Sequence, residues 1–197
     1  MPTEPDDSVL DRRVRRSRER VLTSAFDLLG ERGVSGFTID EVASRSGVAK
    51  TTIYRHWPSR EVLVLEAATR ISAAVEVPDT GSVQGDVVAI LNNLGDLLGT
   101  ARWASVVPSI VDVAERDPEF AVVHGRIQRG HAAPLREVLL RAAGRGELAP
   151  MTDPSHLVSA LIGPLYYRRW FSREPIDEQF VGQLVRDVIG SHLVPRV

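Results

Sequence analysis

Six hydrogen-bond donors crowd the seven residues KTTIYRH: Lys50, Thr51, Thr52, Tyr54, Arg55 and His56, interrupted only by Ile53. Lys50 is the single lysine of a chain that otherwise draws its fixed positive charge from arginine. Donor sets of this kind suit a polyanion. Ammonium and guanidinium groups serve phosphate or guanine, threonine offers a hydroxyl to phosphate or a methyl to thymine, and tyrosine and histidine donate to phosphate oxygens. Bond-making chemistry finds less support. The absence of cysteine excludes disulfides, thiolate nucleophiles and Cys-ligated zinc or iron-sulfur centres. The five histidines are scattered, and there is no HExxH, no Gly-x-Ser-x-Gly elbow and no glycine-rich phosphate loop after a strand. An enzyme is therefore not expected, and no cofactor is implied. His124 and His131 lie seven apart, on one face of a predicted helix, but no third or fourth ligand accompanies them and no metal site is assigned.

A seven-residue helix does not hold its shape alone in water, so its neighbours must position it. Upstream, Val21, Leu22, Ala25, Phe26, Leu28 and Leu29 form an apolar stripe of helical period that Gly33 closes, which predicts a helix over about 12–32. Thr38 and Glu41 have the spacing of a capping box, with Ile39, Val42 and Ala43 facing inward, so a second helix runs over about 39–45 and stops at Ser46-Gly47. After a turn of about three residues the donor helix starts near Ala49, with Val48 and Ile53 toward the core. Pro58 interrupts it, and Ser59 can cap a further helix reaching Val75. Helix, short turn, helix is the arrangement in which the second helix enters the major groove and the first crosses over it.

Charge supports the same segment. The formal net charge of -2 hides a split: residues 12–60 carry 11 Lys or Arg against 5 Asp or Glu, while 1–11 and 61–197 are each net -4. A basic segment on an acidic body is the footprint of a protein that meets polyanions. Arg12, Arg13, Arg15 and Arg16 allow two roles: an arm in the minor groove, or a solvated helix start that touches phosphates loosely. Residues 1–11 read as a disordered acidic tail. They are acidic where a secretion signal is basic and then apolar, and no apolar run reaches the roughly 18 residues of a membrane span. A cytoplasmic protein without membrane contact is expected.

From residue 78 the stretch VPDTGSVQGD marks a boundary. Amphipathic helices follow, one bent at Pro108 and a long one from Asp117-Pro118 toward Arg145 kinked at Pro134, then two more opened by Asp153-Pro154 and by PIDEQF. The chain is thus all-α. Its sequence divides into a tail (1–11), a helix-turn-helix head (12–58), a connecting helix (59–77) and a larger helical domain (78–197). Leu161 and Leu165, with Phe180, Leu184 and Val188, line up as apolar faces that a homodimer would bury, although burial inside one chain would also account for them. Trp103, Phe120, His124, Ile127, Gln128, His131, Tyr166 and Trp170 mix rings with polar handles, as a small-molecule pocket does. The same residues would also suit a plain core.

The run TIDEVASRSGVAKTTIYRHWPSREVL closely resembles the DNA-binding signature of the TetR family of bacterial transcriptional regulators, over about Arg18 to Leu65. The aromatic before Pro58 is commonly Phe in that family and the residue after Ser59 commonly Lys; here they are Trp57 and Arg60. The resemblance implies that Thr38, Lys50, Thr51, Thr52, Tyr54, His56 and Arg60 face DNA, with Tyr54 and Arg60 on phosphates and Lys50 to Thr52 nearest the bases. Residues RGEL…DP…GPLYYRRWFSREPIDEQFVGQLV resemble, more loosely, a C-terminal domain of the family. That implies a homodimer on a double-stranded, pseudo-palindromic operator, released by an unidentified small-molecule effector, with repression the common outcome. A helical adaptor that binds protein instead of DNA is the alternative.

Overall fold

The computed structural model describes residues 7–69, 77–149 and 153–194, with side chains throughout except at 7–11 and 101–104. Among these residues it is helical without a strand: α1 (Asp7–Arg32), α2 (Ile39–Ser46), α3 (Lys50–His56), α4 (Arg60–Thr69), α5 (Val83–Gly99), α6 (Ala101–Ala114), α7 (Pro118–Gly144), α8 (Pro154–Tyr167) and α9 (Glu178–Gly190). A π-helical turn, Arg168–Ser172, extends α8, and one isolated bridge joins Leu148 to Leu193. The all-helical expectation holds. Helix α1 begins at Asp7, five residues before the predicted start, so residues 7–11 are helical rather than a disordered tail. Residues 1–6 and the expected continuation of α4 over 70–75 lie outside the described residues. Pro108 and Pro134 each sit inside one continuous helix, α6 and α7.

Two compact units emerge, Met1–Ile71 with Ser105–Ile127, and Ser72–Ala104 with Gln128–Val197. The sequence reading placed everything from residue 78 onward in one domain, whereas the contacts group most of α6 and the start of α7 with the head. In the first unit the stripe of α1 (Val21, Leu22, Ala25, Leu28, Leu29) meets Val34, Phe37, Ile39 and Val42, then Ile53, Trp57, Leu63 and Val64. Val106, Ile110, Phe120, Val123 and Ile127 of α6 and α7 complete that cluster. Ser105 also donates to the carbonyl of Gly30 at the end of α1, 2.7 Å away. Several of these side chains are entirely removed from water, each contributing roughly 1.5–3 kcal/mol by burial.

The second unit packs α5 against α9 and α8 against α9. Its inward residues are Val87 and Leu91 of α5, Leu157, Leu161 and Leu165 of α8, and Val181, Val185 and Ile189 of α9. This corrects the expected interface in part. Leu161 and Leu165 are 0% exposed within the single chain and are core residues, because α8 turns its 157/161/165 stripe inward. Phe180, Leu184 and Val188, on the other face of α9, are half-buried. Tyr167 and Phe171, stacked with ring centroids 5.7 Å apart, are 61% and 75% exposed.

Buried Asp86 anchors the entry to α5. It accepts from the Thr80 amide (2.6 Å) and hydroxyl (2.8 Å), and from Arg141 of α7 (2.9 Å). Burial alone would raise this carboxyl, but the two Thr80 bonds and the Arg141 cation outweigh it and hold the group below the usual carboxylate value.

Candidate nucleic-acid interface

Helix α2 starts as the sequence predicts. Thr38 is its N-cap in extended backbone, and its hydroxyl accepts the Glu41 amide at 3.2 Å. At the other end Gly47 takes φ 64°, a left-handed conformation that costs glycine little, and its N–H returns to the Ala43 carbonyl. The chain reverses over 47–49, with the Ser46 hydroxyl receiving the Val48 amide at 3.3 Å. Arg45 fixes α2 against α1 by pairing with Glu31 at 2.7 Å and with Glu41 at 3.0 Å.

Helix α3 then presents two faces. Val48, Ile53 and Trp57 are at most 8% exposed and point into the core. Lys50, Thr51, Tyr54 and Arg55 are exposed, and Thr52 and His56 half-buried, His56 lying edge-on to Trp57. The short helix is clamped at its C-terminal end. Trp57 donates its indole N–H to Glu66 of α4 at 2.7 Å, Arg18 of α1 pairs with the other Glu66 oxygen at 2.7 Å, and the Arg18 guanidinium lies 5.4 Å from the Trp57 ring centroid. The sequence reading missed this three-way brace. Its signal was tryptophan in place of the commoner phenylalanine, since a buried indole N–H demands an acceptor.

Two expectations change. Arg60, expected on a phosphate, is engaged within the chain: its guanidinium donates to the carbonyl of Phe37 at 3.0 Å and to that of Val34, and it lies 5.9 Å from the Phe120 ring. Nε and Nη2 are taken up by main-chain acceptors between α1 and α2, so Arg60 ties α4 to that turn. Arg12, Arg13, Arg15 and Arg16 are exposed on α1 itself. A helix about 10–12 Å across does not enter a minor groove about 6 Å wide, so they form no extended arm. Asp40 was missed: its carboxylate, on the first turn of α2, pairs with Lys50, and both side chains are more than half exposed.

The expected pocket residues are divided. Phe120, His124 and Ile127 belong to the first unit, Phe120 and Ile127 as core residues, while Gln128, His131, Tyr166 and Trp170 belong to the second. Tyr166 meets Trp170 edge-on with centroids 4.8 Å apart, and burial raises its phenol above the usual value. The side chain of Trp103 lies outside the described residues.

Two family models match the chain. The family model for bacterial regulatory proteins of the tetR family covers residues 21–67, and the model for the tetracyclin repressor-like C-terminal domain covers 77–188. The chain belongs to the TetR family. Among TetR relatives, the HTH-type transcriptional regulator AqdR of Rhodococcus erythropolis is 32% identical over 84% of this chain and 80% of its own. The DNA-binding transcriptional repressor TetR of Mycobacteroides abscessus is 28% identical over 86% of this chain and 90% of its own. Among solved structures, the TetR family regulator SCO0332 superposes with a TM-score of 0.73 at 30% identity, covering 91% and 99% of the two chains. These TetR relatives are transcriptional regulators, and the chain is a DNA-binding transcriptional regulator of the same non-enzymatic kind.

Proposed function

We propose that this regulator is a repressor that binds a pseudo-palindromic operator as a homodimer and is released by a small-molecule effector. The observation that carries the reading is the two-faced α3: an outer face of Lys50, Thr51, Tyr54 and Arg55 on a helix held from behind by Ile53 and Trp57. A helix so fixed can enter a major groove without losing its own order. Lys50, Thr51 and Thr52 reach base edges, Tyr54 and Arg55 reach phosphates, and Thr38 with His56 flanks the contact. The arginines on the outer face of α1 add phosphate contacts rather than minor-groove reading.

Dimerisation follows from surface that the folded chain leaves apolar. Phe180, Leu184 and Val188 on α9 and Tyr167 and Phe171 beyond α8 are what one copy offers another. A two-fold axis then sets two recognition helices about 34 Å apart, one turn of the duplex. Release needs an effector that favours a wrongly spaced pair, and a coupling of ~1–3 kcal/mol shifts occupancy ~5- to 150-fold. The repressor assignment draws on the Mycobacteroides abscessus relative, a DNA-binding transcriptional repressor.

Selection of purified protein on random duplex DNA, followed by titration of the enriched sequence across salt concentrations, tests the proposal. A two-fold symmetric sequence, bound by an even number of chains with a steep salt slope, is the expected result. Failure to enrich any sequence, with no salt-sensitive binding, would remove operator recognition and favour a protein-binding adaptor.

A further inference from the structure

The junction between α8 and α9, within the second unit, holds a group of arginines that the regulator reading does not use. The π-helical turn Arg168–Ser172 inserts one residue where α8 would otherwise end, a deformation often found at functional sites. Arg173 follows in a left-handed conformation, φ 61°, the only non-glycine residue with positive φ among those described. A cavity of about 300 Å³ lies here, lined by Gly95 and Gly99 of α5 and by Arg168, Arg169, Arg173, Glu174, Pro175 and Ile176. Gly95 is required by the packing, since a Cβ there would come within 2.9 Å of Ile176 Cγ2. At Gly99 a Cβ would meet nothing within 4 Å, so α5 leaves the cavity open at that end.

The charges lining this cavity do not balance. Glu174 is its one acidic residue, and it is engaged by Arg168 at 3.3 Å. Arg168 is further occupied by the carbonyl of Pro175 at 2.5 Å and by the Phe180 ring, whose centroid is 3.7 Å from its guanidinium carbon. Arg169 has no such partner for its Nε, which is buried without a hydrogen bond among the described residues. A desolvated guanidinium N–H left unpaired is costly, and such a group in a folded protein is usually completed by a water, an ion or a ligand. Arg173 adds a third guanidinium at the rim, where it is exposed. Arginine's planar fork suits an oxyanion with two acceptor oxygens.

We infer that this cavity is a binding site for a small oxyanion, the carboxylate or phosphate group of a metabolite, held by Arg169 and Arg173 while Arg168 and Glu174 keep the turn in shape. Its volume is at the lower end of the ~300–1,000 Å³ range of small-molecule sites, which limits the bound part of the ligand to a compact acid. None of the residues lining this cavity is among the DNA-facing or pocket residues expected from the sequence.

Calorimetric titration of the full-length protein with inorganic phosphate and, separately, with acetate tests it, at constant ionic strength set by chloride. Wild type should bind one of the two saturably, the tighter arm identifying a phosphate or a carboxylate ligand, and Arg169→Gln with Arg173→Gln should weaken that binding at least tenfold. Because Arg169→Gln alters a partly buried position, the Arg Nε–H resonances of wild type provide the second measurement, and those of Arg169 and Arg173 should move with the same saturation. Equal affinity in the variant, or no response beyond chloride, would overturn the site. So would an Arg169→Gln protein with unchanged anion affinity but altered oligomeric state, which would assign that guanidinium to a subunit contact.

Discussion

Arg60 and Lys50 are both cations of the helix-turn-helix region, and their surroundings differ: Arg60 donates to the carbonyls of Phe37 and Val34, whereas Lys50 stands exposed beside Asp40. Arg60→Met keeps the aliphatic stem but takes the guanidinium donor from the Phe37 carbonyl and leaves the Val34 carbonyl with the Phe37 amide alone. Its thermal stability should fall by about 1–3 kcal/mol while the salt dependence of DNA binding stays as it is. Lys50→Met should do the reverse, leaving the melting temperature alone and reducing the salt slope by roughly 0.9 for each phosphate it no longer neutralises. A flattened slope for Arg60→Met would return that residue to the DNA-facing set. Asp40 belongs at the same scale. An exposed ion pair contributes only ~0–1 kcal/mol to folding, so Asp40→Asn should fold normally. Freed of its carboxylate, Lys50 should then bind random duplex a few-fold more tightly and narrow the preference for the operator, which competition against random DNA would measure.

At the scale of elements, the sequence was informative where each signal was local. The capping pair Thr38 and Glu41, the turn at Gly47 and the apolar stripe of α1 depend on neighbours a few residues away, and α2, α3 and the C-terminal end of α1 appear where those signals place them. What stayed hidden depends on distant partners. Arg60 reads as a surface cation until the main-chain carbonyls of residues 34 and 37 are seen beside it. On α8 the stripe was legible but not its direction: Leu161 and Leu165 look the same in sequence whether they face their own core or another subunit. Periodicity defines a face and leaves open what the face meets. The brace behind α3 can be tested by Trp57→Phe, which keeps the ring and deletes the N–H to Glu66. A loss of about 1 kcal/mol is expected in chemical denaturation. The entry to α5 responds to acid instead. Because the Asp86 carboxyl is held below its usual value, its contribution is complete above the ordinary carboxylate pKa of about 4 and disappears as pH falls through the lower native value. Asp86→Asn should remove that acid limb from the stability-pH profile and cost about 1.5–3 kcal/mol at neutral pH.

For the molecule as a whole, the proposed function needs two copies. Leu184 is half-buried on the outer face of α9, apart from the buried Val181, Val185 and Ile189. Leu184→Glu should therefore leave each chain folded but shift sedimentation from dimer to monomer, and affinity for the full operator should drop to that for one half-site. A monomer that keeps full operator affinity would count against the two-fold arrangement. The chain's composition also provides a direct way to observe DNA binding. With one lysine among 197 residues, an amine-selective reagent has a single side-chain target besides the amino terminus, and that target, Lys50, stands exposed at the start of α3. Labelling in the presence and absence of duplex thus becomes a one-site footprint of the recognition helix, readable as a single mass increment without introducing any substitution.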